Sequence, residues 1–388
     1  MDRIVIAAAA RTPLGAFNGK LKSVSAVELG KTVIAKVVEG YAGKIDGVCI
    51  GCVLSAGLGQ SAARQAAIGS GLDVSVNCVN INKICGSGMA AIMFARNEII
   101  SGEKNVVIAG GMESMTNAPY LLEKARSGYR FGDGKILDHI LKDGLLDAYE
   151  QRVMGSYAED TAAAYAFSRA DQDEYALGSF LRARKAIGEN LFRQEIVPII
   201  LKDRKGDVVV NSDEIPFSVD LDKMPRLKPV YQENGTITAA SSSSISDGAA
   251  ALLIMTEAMA NKMGMTPLAR IVAQSSFSQS PKLFATAPIG AIGQVLEKSG
   301  WSVGDVDLFE INEAFSVVAM AAIQEFGLDP EIVNIFGGAC ALGHPLGASG
   351  ARIVVTLLNA MKMTGVRKGL ATLCVGGGEG VAMTFEAF

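Results

Sequence analysis

Two stretches of this chain, one in each half, repeat the same order of elements, and that order constrains the fold more than any other feature. In the first, SGMAAIMFARNEII (87–100) places apolar residues at 89, 92, 93, 99 and 100, with Arg96, Asn97 and Glu98 opposite. That is helical spacing, and Gly102 follows as a stop signal. KNVVIAGGMES then reads as a buried strand ending in Gly110-Gly111 and Glu113. In the second, residues 349–361 again open a helix on Ser-Gly, and KGLATLCVGGGEG repeats the strand ending in glycines and Glu379. IDGVCIGCVL (45–54) and VDLFEINEAF (306–315) correspond more loosely. Strands alternating with helices predict two α/β units on mainly parallel sheets.

Between the repeats the character changes. Over roughly 117–246 charge rises and the glycine-rich strand ends vanish. Ser156 with Glu159, and Ser168 with Asp171, predict two capped helix starts. The second opens an exposed amphipathic helix, DQDEYALGSFLRARKAIGENLF. Residues 201–235 are polar, with three prolines, and read as loops and short strands. SISDGAAALLIM (244–255) returns to a buried strand. The predicted division is an N-terminal α/β half over 1–116 and 247–266, an insert over 117–246, and a C-terminal half over 267–388.

The 388 residues exceed one simple core. With 49% apolar and 20% charged residues, the composition is that of a soluble globular enzyme. A net charge of −4 argues against general nucleic-acid or membrane-surface binding. No apolar run reaches the ~18 residues of a membrane span. The opening MDRIVIAAAARTPLG runs into a strand pattern with no signal-peptide character. The six cysteines then read as reduced thiols, and the expected location is cytoplasmic.

One of only two histidines, His344, lies in GGACALGHPLGASGAR (337–352), with glycine on both sides and Pro345 directly after it. Proline holds the preceding residue in an extended backbone, which suits a loop that aims a side chain. The segment reads as a strand-to-helix corner. Cys85, in NKICGSGMAA, stands where the strand VNCVNINKI gives way to the repeat helix. There the helix dipole and free N–H groups favour a thiolate, lowering the pKa below the free value of ~8.5. The glycines around it permit a nucleophile elbow. Against this stands the common case of a buried apolar cysteine; the glycine-flanked corner favours the nucleophile. Cys374 precedes Gly376-Gly377-Gly378, and on its own divides evenly between the two readings. Cys49, Cys52, Cys78 and Cys340 read as core cysteines, and His139 as an ordinary, partly exposed histidine. No cysteine–histidine spacing suits zinc, so no metal is expected. Asn312-Glu313-Ala314-Phe315 follows a buried strand, where open α/β sheets place ligand contacts; Asn312 also suits a helix cap.

Together NKICGSGM, GGMESM, SSSSISDGAA, NEAF, GGACALGHPLGASGAR and CVGGGEG resemble the thiolases, in the family's order, from residue 3 to the end. Lys83 and Gly86 in NKICGSGM look like the biosynthetic acetoacetyl-CoA thiolases; degradative long-chain members typically carry Arg and Ser there. The resemblance implies a five-layered αβαβα fold of two similar halves, with the insert as a loop domain covering coenzyme A, in a homotetramer or homodimer. It implies reversible condensation of two acetyl-CoA into acetoacetyl-CoA, with no cofactor beyond these thioester substrates, in fatty acid metabolism. The alternative within the family is a degradative 3-ketoacyl-CoA thiolase of broader chain length. By the same resemblance Cys85 takes the acetyl group and Cys374 removes the α-proton of the second acetyl-CoA. His344, with a water held by Asn312, stabilises the enolate oxygen, and His344 accepts the proton as Cys85 ionises. The N–H groups of Cys85 and Gly376 form the oxyanion site. Substrate contacts fall to Ser243, Met154, Ala314 and Phe315. Three features depart from the family pattern. Val153 stands where many members have histidine, Ser241 stands where asparagine is frequent, and the region 213–228 is shortened where an arginine meets the adenine.

Rival readings explain less. A ketoacyl synthase would need His139 as a second active histidine and no Cys374. A non-catalytic acyl-CoA binder has no use for two thiols beside an imidazole, and a redox role for Cys49 and Cys52 lacks a helix start after them.

Overall fold

The computed structural model describes residues 3–388. In the first half the chain runs β1 (Ile4–Arg11), α1 (Ala26–Val37), β2 (Gly47–Gly51), α2 (Ala62–Gly69), β3 (Asn77–Ile81), α3 (Ser87–Ile100) and β4 (Val106–Ser114). The insert carries α4 (Met154–Ala164), α5 (Arg169–Gly188) and a hairpin of β5 (Ile199–Leu201) and β6 (Val208–Val210). β7 (Ser246–Thr256) returns to the first half. The second half follows with β8 (Ala269–Ser278), α6 (Ala287–Ser299), β9 (Leu308–Ile311), α7 (Ser316–Phe326), α8 (Ala339–Leu342), α9 (Leu346–Thr364), β10 (Lys368–Val375) and β11 (Glu379–Ala387).

The strands join in the order β9-β10-β11-β8-β1-β7-β4-β2-β3. The expectation of mainly parallel sheets is corrected. Only β2 with β3, β2 with β4, and β9 with β10 are parallel. The pairings from β4 through β7, β1, β8 and β11 to β10 are antiparallel. Two registers alone, Val5 against Arg270 and Ile6 against Ala269, join the halves edge to edge.

Layering follows from which faces are apolar. α1 and α2 cover the outer face of the first half-sheet, and α6 with α7 cover that of the second. α3 and α9 pack against each other between the two half-sheets. α9 is buried along nearly its whole length, as a helix sandwiched between sheets must be. The result is five layers, α-β-α-β-α. The central pair meets backbone to backbone: a Cβ on Gly88 would lie 2.7 Å from Ala351 N, and one on Gly350 only 2.4 Å from Met89 N. Only glycine permits that approach. Since α3 follows Cys85 and α9 follows His344, this contact sets the distance between the two residues.

Candidate active site

The chain turns into α3 through a strained elbow. Ile84 adopts φ 47°, a left-handed conformation seldom taken by a β-branched residue. Ser87 Oγ accepts the Lys83 N–H at 2.8 Å and donates to Ile84 O at 2.7 Å, which holds the turn. A Cβ on Gly86 would meet Val375 Cγ2 at 2.8 Å, so the elbow presses against the end of β10. The Lys83 ammonium pairs with Glu379 and ties the same two loops together. Cys85, half-buried, therefore stands just before the helix with the Gly376 N–H facing its sulfur.

The expected low thiol pKa at this helix start is corrected. Burial pushes the Cys85 thiol up to about 11, and the Gly376 and Cys85 N–H groups only partly offset it. Desolvation outweighs the dipole, so the resting group is a thiol.

His344 sits between two helices, α8 and α9, rather than at the expected strand-to-helix corner. Gly343 at φ 103° makes the turn. The His344 N–H donates to Ser244 O at 3.0 Å. Its Nδ1 lies 2.5 Å from Ser349 Oγ, and its buried Nε2 has no protein partner. Burial, reinforced by the positive charge of Arg352, pulls its pKa down to about 3, so the imidazole is neutral near pH 7.

Cys374 lies near the end of β10, fully buried. Burial first, then the neighbouring Cys85, raises its thiol well above the ordinary range. Asn312 follows β9, is fully buried, and donates its N–H to Thr372 O at 3.0 Å; neither side-chain amide atom has a protein partner. β9 pairs with β10 in parallel register, which brings Asn312 beside the strand that carries Cys374.

Cys85 and His344 meet at a cavity of about 130 Å³. Cys85, His344, Gly376, Met154, Ser243, Ala314 and Phe315 all line it. Cys374 and Asn312 are buried and form no part of its wall. The serine stretch laces the cavity rim together: Ser243 N–H donates to Ala314 O at 3.0 Å, and Ser241 O accepts from Ser316 N–H at 2.8 Å. A Cβ on Gly376 would lie 3.7 Å from Met154 Sδ, which places that thioether beside the expected oxyanion site.

Two models of known families match the chain: the thiolase N-terminal domain over residues 4–258 and the thiolase C-terminal domain over 265–387. The chain belongs to the thiolase family. It is 48% identical over 387 residues to an acetyl-CoA acetyltransferase of Rhizobium meliloti, covering 99% of this chain and 98% of that one. It is 46% identical over 391 residues to one from Escherichia coli, covering 100% and 99%. A crystal structure of the Bacillus anthracis acetyl-CoA acetyltransferase superposes with a TM-score of 0.97 at 41% identity, covering 100% of this chain and 99% of that one.

Several residues of this thiolase's site escaped the sequence reading. Tyr231 and Phe284 face the cavity from distant segments and meet Phe315 edge-on, at centroid distances of 5.7 and 6.2 Å. No motif surrounds either residue; the close fit of Tyr231 on Gly155, where a Cβ would come within 2.3 Å of the ring, is visible only in three dimensions. Gly144 and Leu145 reach the cavity from a π-helical turn, Leu141–Leu145.

Two buried carboxylates brace the loops. Glu113 accepts the N–H groups of Val53, Leu54 and Gly347 at 2.8 to 3.0 Å and pins the start of α9. Glu313 accepts from Tyr175, Ser179, Asn334 and the Cys340 N–H, which fixes the segment leading to His344. His139 is buried, with Nδ1 2.6 Å from Asp143, which corrects its expected exposure. Ser156 does not cap α4: Val153 occupies the cap position, and Glu159 instead accepts the Thr236 and Ile237 N–H groups. The Ser168–Asp171 capping box is present at α5. Ser241 turns inward, its Oγ accepting the Thr238 N–H at 2.9 Å. Cys49 and Cys52 are buried, with burial raising the Cys49 thiol to about 12. Among the described residues, no cluster could hold a metal ion and no helix is long and apolar enough to cross a membrane.

Proposed function

We propose that this thiolase is an acetyl-CoA C-acetyltransferase, joining two acetyl-CoA into acetoacetyl-CoA and free coenzyme A and running the reverse thiolysis. The observation that carries the proposal is the meeting of Cys85, the Gly376 N–H and a neutral His344 with a bare Nε2 at one small cavity. The name shared by its relatives supports the substrate.

The protons balance through one cycle. His344 Nε2 takes the Cys85 proton as the sulfur attacks the first thioester carbonyl. The oxyanion collects the N–H groups of Cys85 and Gly376, donors worth roughly 3 to 4 kcal/mol each by analogy with known oxyanion holes. Collapse breaks the bond to coenzyme A, whose thiolate takes the Cys374 proton. Acetyl-Cys85 and a Cys374 thiolate remain. That thiolate removes an α-proton from the second acetyl-CoA, while the His344 imidazolium and a water on Asn312 face the enolate oxygen. The enolate carbon attacks acetyl-Cys85, the C–S bond breaks, and Cys85 recovers its proton from His344. The raised Cys374 pKa keeps it protonated at rest and makes it a strong base once its proton has gone to the departing coenzyme A.

Ser243, Met154, Ala314 and Phe315 are proposed to contact the acyl and pantetheine portions, and residues 117–246 to cover coenzyme A. The cavity is well below the ~300 Å³ of an ordinary ligand pocket, and its wall of Phe284, Phe315 and Tyr231 supports acetyl over longer chains. Thiolysis of a 3-ketoacyl-CoA series tests this. Acetoacetyl-CoA should lead, with about a 10- to 200-fold loss for the first added methylene; equal kcat/KM for longer chains would give the broader degradative reading. We further propose that it works in the cytoplasm, in fatty acid metabolism, as a homotetramer or homodimer. Exposed Tyr120, Phe131, Ile136 and Tyr149 in the insert support self-association, which light scattering would measure.

A further inference from the structure

The second nitrogen of His344 is held by a group with a fixed hydrogen-bonding direction. Nδ1 lies 2.5 Å from Ser349 Oγ, and the same oxygen lies 2.9 Å from the carbonyl of Pro345. Ser349 is fully buried, on the first turn of α9, and Pro345 immediately precedes that helix. A hydroxyl has one hydrogen, and a carbonyl oxygen can only accept. Pro345 O, which also accepts the Ala348 and Ser349 N–H groups at 2.9 Å, can never donate to Ser349 Oγ, so the contact is favourable only with the Ser349 hydrogen turned toward it, and toward His344 the serine oxygen then accepts. A neutral imidazole carries one proton, on one nitrogen or the other. That proton lies on Nδ1, and Nε2 is left bare.

We infer that Ser349 is a positioning residue that locks His344 in the Nδ1–H tautomer, so that Nε2 is always ready to receive the Cys85 proton. The inference rests on the acyl-transfer reading of the site for its consequence, but its geometry does not. With the opposite tautomer, Nε2 would already carry a hydrogen, and the ring could take the Cys85 proton only after a tautomer exchange. Ser349 also governs the next step. Once Nε2 is protonated, the Nδ1–H remains engaged with Ser349, so the imidazolium presents Nε2–H, and no other donor, toward the enolate oxygen. Pro345 matters twice. Its carbonyl absorbs the serine hydrogen, and its ring keeps His344 out of the helix, so that the side chain turns back on the first turn of α9.

The presence of only two histidines makes the test direct. Full-length protein labelled with ¹⁵N-histidine should show, in the two-bond nitrogen–proton spectrum near pH 7, a neutral His344 ring protonated at Nδ1; His139 also holds a proton on Nδ1, toward Asp143, so a His139→Gln sample isolates the His344 signal. Ser349→Ala should convert this signal to the Nε2–H form or an exchanging mixture. Acetylation of Cys85 from acetyl-CoA should slow by about 10- to 100-fold, a part of the 100- to 10,000-fold typical of a general base. Ser349→Thr, which keeps the hydroxyl, should restore both the tautomer and the rate. Nε2–H in the wild-type protein would overturn the inference, and that measurement stands even if Ser349→Ala does not fold. A folded Ser349→Ala with an unchanged tautomer and acetylation rate would also overturn it. A wild-type protein with the Nδ1–H tautomer but no acetyl group on Cys85 would support the tautomer lock while defeating the acyl-transfer reading.

Discussion

Replacing Gly350 with alanine should separate the two central helices and, with them, the nucleophile from its base. The added Cβ would lie 2.4 Å from Met89 N, 2.9 Å from Met89 Cβ and 3.2 Å from Met89 Cα. Two of these are backbone atoms that cannot swing away, so α3 and α9 must part by about 1 Å to reach ordinary van der Waals contact. Overpacking of this kind costs about 1 to 3 kcal/mol. The better helix propensity of alanine returns about 0.5 to 1 kcal/mol, so net destabilisation should stay near 2 kcal/mol or less. Catalysis should suffer more. A ~1 Å misplacement of reacting groups can cost about 100-fold, and the loss should appear in the burst of coenzyme A released on acetylation, read by rapid quench. Gly293→Ala is the control: in α6, a Cβ there meets nothing within 4 Å, so stability should hold or rise and the burst should be unchanged. A folded Gly350→Ala with a wild-type burst would refute the claim that glycine contact sets the distance between Cys85 and His344.

Other outcomes follow from the buried groups. Because the Cys85 thiol is raised to about 11, its alkylation by iodoacetamide in the free protein should keep rising through about pH 10; a plateau below about pH 8 would show a preformed thiolate. Cys374→Ala should still acetylate Cys85 and release coenzyme A once, more slowly because the leaving thiolate loses its proton donor, then fail to condense or exchange α-protons with deuterated water; a folded variant in which no acetyl group ever forms on Cys85 would reverse the assigned roles. Burial raises the Glu310 carboxyl to about 8, against the opposing pull of Arg352. Its folded pKa therefore lies above its unfolded value of 4.5, so its neutral form favours the fold, and that contribution is lost as pH rises through about 8. Tm should fall between about pH 5 and 9, and Glu310→Gln should flatten that fall; an identical pH dependence in the variant would contradict this.

Much of the site was legible because its signals are local. The span of α3, Ser87–Ile100, followed from apolar spacing and Gly102, and the corner at Cys85 from a strand pattern broken by glycines. What depends on distant partners was not legible. Strand direction is one case: β1, β7, β8 and β11 read as ordinary buried strands, and only their tertiary neighbours make them antiparallel. Ser156 resembles a cap, but the carboxylate of Glu159 is claimed by backbone some 77 residues away. The four-residue helix α8 is too short to show periodicity, so His344 looked as though it followed a strand. At Cys85 the local dipole argument had the right direction but lost to desolvation by segments remote in sequence. Tyr231 and Phe284 carry no pattern at all, because their role is set by where the insert, for Tyr231, and the turn after β8, for Phe284, meet over the cavity.

In the proposed cycle Cys85 carries the acyl group while Cys374 handles only a proton. Peptide mass spectrometry after mixing the full-length protein with acetyl-CoA and quenching in acid tests it most directly. A gain of about 42 Da, one acetyl group replacing a hydrogen as covalent catalysis requires, is expected on the peptide holding Cys85 and on no other, with no gain in Cys85→Ala. An acetyl group on Cys374, or on any other cysteine in place of Cys85, would contradict it.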